Sequence, residues 1–195
     1  MTNFKKYLMK KLIYIALFAV FAFPLNELNA QEIPVTAPNF PKIDASPMDM
    51  VVYKDANDKV VARVIYSRPQ KRDRDVFGNL VPYGQVWRTG ANEATELTLY
   101  NDMKVADVVV KAGTYSIYTI PEEKEWTVIL NKSIHTWGAY EYTDKDDLVR
   151  IKVPVRHSPT SIEAFSMTFA PTQDGAALLM GWDNRYVEVP FKSVM

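Results

Sequence analysis

The sequence predicts an all-β fold: a single β-sandwich, jelly-roll-like, of about ten short antiparallel strands behind an N-terminal signal peptide. Three observations predict it. Short runs rich in Val, Ile, Thr and Tyr alternate apolar with polar side chains, most cleanly where Val149, Ile151, Val153 and Val155 oppose Arg150, Lys152 and Arg156. A period of two sends successive side chains to opposite faces, so such a run buries one face only as a strand. Turn residues punctuate these runs at near-regular spacing, and no convincing amphipathic helical pattern interrupts them.

The elements follow in order. Lys5, Lys6, Lys10 and Lys11 precede an apolar run over residues 12–23, and Leu28-Asn29-Ala30 offers a small residue at its end. That is the layout of a signal peptide, residues 1–30, cut after Ala30, and the apolar run is short for a membrane span. Residues 31–46 form a Pro-rich extended leader, since Pro34, Pro38 and Pro41 exclude a helix. The domain covers residues 47–195. Its first strands are residues 48–54 and 60–67, turned by Asp55-Ala56-Asn57-Asp58. In the second, Val60, Ala62, Val64 and Tyr66 share a face, and Arg63 and Ser67 lie on the other, which Val61 and Ile65 make only half polar. After a long excursion, strands are expected at residues 95–101, 103–111, 114–120 and 126–130. A second irregular segment fills residues 131–142. Strands return at 149–155 and 165–169, and residues 176–182 and 186–191 read as a final pair turned by Asp183-Asn184.

Composition removes several functions. Twenty-three basic and 23 acidic residues leave no net charge at pH 7. Nucleic acid and anionic membrane both call for a basic surplus, so no nucleic acid is expected as partner and the membrane matters only during export. There is no cysteine, hence no disulfide, thiolate metal site, Cys nucleophile or lipidated cysteine. The two histidines, His135 and His157, lie in different segments without metal-ligand spacing, so no metal and no cofactor are expected. Export points to the periplasm or the cell exterior.

Candidate chemistry concentrates in the excursion from Ser67 to Thr95, which carries Arg68, Arg72, Arg74, Tyr83, Trp87, Arg88, Asn92 and Glu93. Long loops in compact domains are commonly functional. Glu93 and Glu96 stand three apart beside Arg88 and Asn92, which makes Glu93 the one candidate catalytic residue, as a base. The plainer expectation is an Arg88–Glu93 ion pair that braces the loop. Trp87, Trp137 and Tyr140 lie in the irregular segments, where aromatic faces beside Arg and Asn suit a sugar or peptide. The blander expectation is that Trp87 and Trp137 plug the ends of the sandwich.

The block Pro82-Tyr83-Gly84-Gln85-Val86-Trp87-Arg88-Thr89-Gly90-Ala91-Asn92-Glu93-Ala94-Thr95 resembles the domain-of-unknown-function family numbered twenty-nine eleven. The resemblance continues through Ala112-Gly113-Thr114-Tyr115-Ser116, Trp126-Thr127-Val128-Ile129-Leu130-Asn131, Trp137-Gly138-Ala139-Tyr140 and Asp147-Leu148-Val149-Arg150. It implies an exported β protein of Bacteroidetes-type bacteria with no established activity and no agreed catalytic residues. The leading expectation is a binding module for a small saccharide or peptide, using Trp87, Arg88, Asn92, Glu93, Trp137 and Tyr140. A hydrolase using Glu93 and an envelope-associated scaffold without small ligand are the alternatives. Oligomeric state is not legible.

Overall fold

The structure, a computed structural model, describes residues 36–194. The expected signal peptide and the first residues of the leader lie outside the described residues. The chain divides into two units, Met1–Pro41 and Lys42–Met195. In the first, the described residues 36–41 hold no strand and are exposed. The rest of this account concerns the second.

The described residues form ten strands: β1 (Met48–Lys54), β2 (Val60–Ser67), β3 (Thr95–Leu99), β4 (Met103–Val105), β5 (Val108–Val110), β6 (Gly113–Pro121), β7 (Glu125–Asn131), β8 (Asp147–Pro154), β9 (Arg156–Thr172) and β10 (Gly175–Ser193). They make two antiparallel sheets, ordered β1-β2-β3-β6-β7-β8 and β5-β4-β10-β9. The expected all-β sandwich is what forms. Inward residues of the larger sheet (Val64, Leu97, Ile117, Val128) meet those of the smaller one (Phe165, Leu178, Met180, Val189) in one core. With no disulfide available, this burial carries the fold, at about 1.5–3 kcal/mol per large side chain.

Two expectations about strands need correction. Residues 103–111 are not one run: Ala106, at φ 52°, and Asp107 turn the chain between β4 and β5, so a β-rich stretch becomes a small hairpin. Asp183-Asn184 is not a hairpin turn either. β10 continues through it, with register shifts on both sides of Asp183, whose φ is 55°. The extra residues are absorbed as a bulge because β9 pairs with β10 from Gly175↔Thr172 to Tyr186↔Arg156. A local turn signal is overridden by a partner strand of 17 residues.

The larger sheet's outer face has a cluster of its own. Tyr118 on β6 and Ile129 on β7 oppose each other there, packed with Ala94, Val86, Ala139 and Tyr142. The Tyr118 hydroxyl meets Thr136 Oγ1 at 2.8 Å. Residues 132–142 therefore lie over this outer face, where they meet the excursion between β2 and β3.

Candidate functional site

The excursion opens with an arginine that is fully used. Arg68 donates to Asp49 Oδ2 on β1 at 2.8 Å, to Ser166 Oγ at 2.8 Å and to the Phe165 carbonyl at 3.1 Å, the last two on β9. Its guanidinium thus joins the two sheets. The chain then runs along β9, where Arg74 donates to the carbonyls of Gln70 and Lys71.

Trp87 returns the chain to the core. Thr95 pairs with Ile117 on β6, and two residues further along β6 the partner is not Glu93 but Trp87. Trp87 N–H donates to the Thr119 carbonyl at 2.7 Å and its own carbonyl accepts from Thr119 at 2.9 Å. Its indole is 9% exposed and stacks on Trp182 at 5.9 Å, with Phe77, Trp126 and Phe165 edge-on around it. Trp87 is first a core residue, and only a margin of it reaches a cleft.

Residues 88–95 make a tight loop, and the expected Arg88–Glu93 brace is absent from it: no ion pair joins them. Buried hydroxyls hold the loop instead. Thr95 Oγ1 donates to the Thr89 carbonyl at 2.6 Å, Thr89 Oγ1 reaches Thr119 Oγ1 at 3.2 Å, and Trp87 Nε1 donates to the Gly90 carbonyl at 3.0 Å. Thr89 and Asn92 adopt left-handed φ values of 59° and 57° to close the turn. A Cβ on Gly90 would stand 3.0 Å from the Ser67 carbonyl, which is why the chain passes so close there. Arg88 and Glu93 end up lining different depressions.

The first depression, about 320 Å³, is lined by Arg88, Asn92, Trp87, Trp182, Arg74 and Ser46 among others. Arg88 is half-buried, and its Nε is buried without an acceptor. Among the described residues no hydrogen bond or ion pair satisfies any part of its guanidinium. Asn92 Nδ2 donates to Asp44 Oδ1 at 3.1 Å. The Ser46 backbone N–H, and then Asn92, hold the Asp44 carboxyl below the usual range. The indole nitrogens are spent elsewhere, Trp87 on Gly90 and Trp182 on the Glu163 carbonyl at 3.1 Å.

The second depression, about 310 Å³ and mostly apolar, is lined by Glu93, Glu96, His135, Met48, Ile65 and Ser67 among others. Glu96 Oε1 accepts the His135 backbone N–H at 2.7 Å and lies 3.2 Å from its Nδ1. That grip holds His135 in a left-handed conformation, φ 60°. The pairing was not legible beforehand, because Glu96 and His135 are 39 residues apart and no motif links them. Among the described residues no three His, Asp or Glu side chains are close enough to hold a metal ion.

Trp137 and Tyr140 line neither depression. They are 60% and 84% exposed, so Trp137 does not plug the sandwich. Their segment is joined to the 88–95 loop by a bridge between Glu93 and Trp137, with Ala94 N–H donating to the Thr136 carbonyl and Gly138 N–H to the Asn92 carbonyl, both at 3.0 Å. At its far end Tyr142 donates to Asp147 Oδ2 at 2.8 Å, as does Arg150 Nη1 at 2.9 Å. Burial first, and then Asp147, push the Tyr142 phenol from 10.0 up to about 12. The folded value is the higher one, so this contribution is complete below the unfolded pKa and is lost as pH rises from 10.0 through about 12. Wild-type stability should fall more steeply over that window than that of Tyr142→Phe, measured by denaturant titration. Parallel curves would show that the phenol is not shifted.

Four of the six expected ligand residues thus line two depressions on either side of one loop (Trp87, Arg88 and Asn92 in the first, Glu93 in the second), and two stand outside both. The model of the family described as protein of unknown function (DUF2911) matches residues 46–191. No curated protein and no solved structure matches the chain.

Proposed function

The chain belongs to the DUF2911 family, whose description gives no activity, and from the site alone we propose that the domain is a binding module for a small polar ligand. One observation carries the reading: Arg88 brings a half-buried guanidinium to a cleft of about 320 Å³ and finds no protein acceptor there. Its Nε is removed from water without a partner, which costs free energy, so a fold built only for stability gains nothing from it. A ligand that supplies the acceptor offsets that cost. The exposed margin of Trp87, backed by the buried Trp182, gives the same ligand a small apolar surface, as a saccharide ring or a peptide side chain requires. The ligand is met after export, in the periplasm or outside the cell, in keeping with the Lys-rich and apolar N-terminal pattern.

Calorimetric titration of the protein against saccharide and short-peptide panels tests this. Binding in one panel, abolished in the Arg88→Ala, Asn92→Ala double variant, is expected. Silence in both panels, or binding that the double variant keeps, contradicts it.

A second reading has an observation of its own. Glu93 lines the same depression as the Glu96–His135 pair, which supports a hydrolase with Glu93 as base. It requires that Glu93→Gln keep the wild-type melting temperature and lose hydrolysis in a screen of ester, amide and glycoside substrates. The brace on which a scaffold role relied is carried by Thr89 and Thr95, so Arg88 and Glu93 are not needed for it.

A further inference from the structure

Resting on that reading, we infer that the group received by Arg88 is a carboxylate, and that the ligand is a small acid carrying an N–H or O–H donor next to its carboxyl group. Charge is the first argument. Among the described residues two arginines, Arg74 and Arg88, line the cleft and no Asp or Glu does, Asp44 reaching only its edge through Asn92. The field there favours an anion, and the low-dielectric flank provided by two indoles keeps water from screening it fully.

The second argument is the division of labour between the arginines. Arg74 has Nε and Nη2 committed to the Lys71 and Gln70 carbonyls, which fixes it as a positive rim. Arg88 keeps its whole fork. A planar fork of parallel N–H donors matches a carboxylate in two-pronged geometry, which a hydroxyl or an amide oxygen cannot reproduce.

Asn92 supplies the rest of the pattern. Its amide nitrogen is taken by Asp44, which requires a donor and so settles which end of the amide points there. Its carbonyl oxygen has no protein donor among the described residues, and it is left to accept from a ligand N–H or O–H. The Asp44 carboxylate beside it opposes a second negative charge, which favours a singly charged carboxylate over a phosphate dianion. Because both indole nitrogens are already spent, Trp87 adds a margin of apolar contact, with Trp182 buried behind it, and no further polar selection. Two sources present this chemistry: a sugar acid, with hydroxyls next to its carboxyl, and a peptide C-terminus, with the last amide N–H.

The test is calorimetric titration of the full chain with matched probes. Glucuronate and galacturonate are compared with their primary amides, and Ala-Ala dipeptide with its C-terminal amide; inorganic phosphate is a further arm. The acid form from one source should bind about 30-fold more tightly than its amide, in line with a charge-assisted hydrogen-bonded pair. The preference should vanish in Arg88→Gln and be only partly restored in Arg88→Lys, which returns the charge without the fork. The arm that responds identifies the source. If neutral ligands bind through Arg88 and Asn92 while acids show no preference, or if phosphate binds as well as the acids, the carboxylate assignment falls and the binding-module reading stands. If neither acids nor neutral saccharides and peptides bind, both fall.

Discussion

Trp87→Ala is expected to cost about 3–5 kcal/mol of folding stability, the range for truncating a large buried aromatic. The indole is the hub of an aromatic group that includes Phe77, Trp126, Phe165 and Trp182, drawn from both sheets and from the excursion itself. Removing it leaves a void in the shared core, and neighbours in a close-packed interior fill such a void only in part. The loop loses its anchor too, because Nε1 donates to the Gly90 carbonyl. Trp87→Phe separates the two effects: it keeps most of the packing and removes the donor, for a loss of only about 1 kcal/mol relative to wild type. Denaturant midpoints of the three proteins measure both. A loss well below the cavity range for Trp87→Ala would mean that the ring is a surface stacking platform rather than a core residue. The expected loss also makes Trp87 a poor probe of binding, since any effect on a ligand would be mixed with unfolding.

Much of the fold was legible because period-two patterning is a local signal. The bounds of β1 and β2, and the inward set Ala62, Val64 and Tyr66, follow from side-chain alternation alone. What was not legible depended on partners distant in sequence. Asp183-Asn184 has turn chemistry, yet its pairing with β9 keeps it within a strand. For the candidate loop, the sequence misread the internal wiring. Arg88 and Glu93 are close in sequence, and proximity suggested an ion pair. The left-handed turn at Thr89 and Asn92 sends them to different depressions instead, and two buried threonine hydroxyls hold the loop. His135 was weighed only as a metal ligand, and its grip by Glu96 arises because two irregular segments meet over the outer face of the larger sheet.

The second large effect concerns Arg88 and has opposite signs for binding and for stability. Arg88→Met keeps an unbranched stem against the cleft wall and removes the guanidinium. Binding should be lost, because among the described residues no other unengaged cation lines the depression. Stability of the ligand-free protein should stay level or rise, by up to about 1 kcal/mol, because an unpartnered and partly desolvated donor group goes with the charge. Arg68→Met is the internal control. That guanidinium has three acceptors bridging β1 and β9, and its loss should cost about 1–2 kcal/mol after allowance for its partial exposure. Two arginines flank one excursion; one is spent on the fold, and on the proposed reading the other is kept for a ligand at some cost to stability.

The most direct measurement is therefore the melting temperature of ligand-free Arg88→Met, taken beside wild type and Arg68→Met. An Arg88→Met protein that melts at or above wild type, with Arg68→Met several degrees below, is the predicted result. Arg88→Met melting as far below wild type as Arg68→Met would show that Arg88 serves the fold, and would contradict the assignment of its cleft as a ligand site.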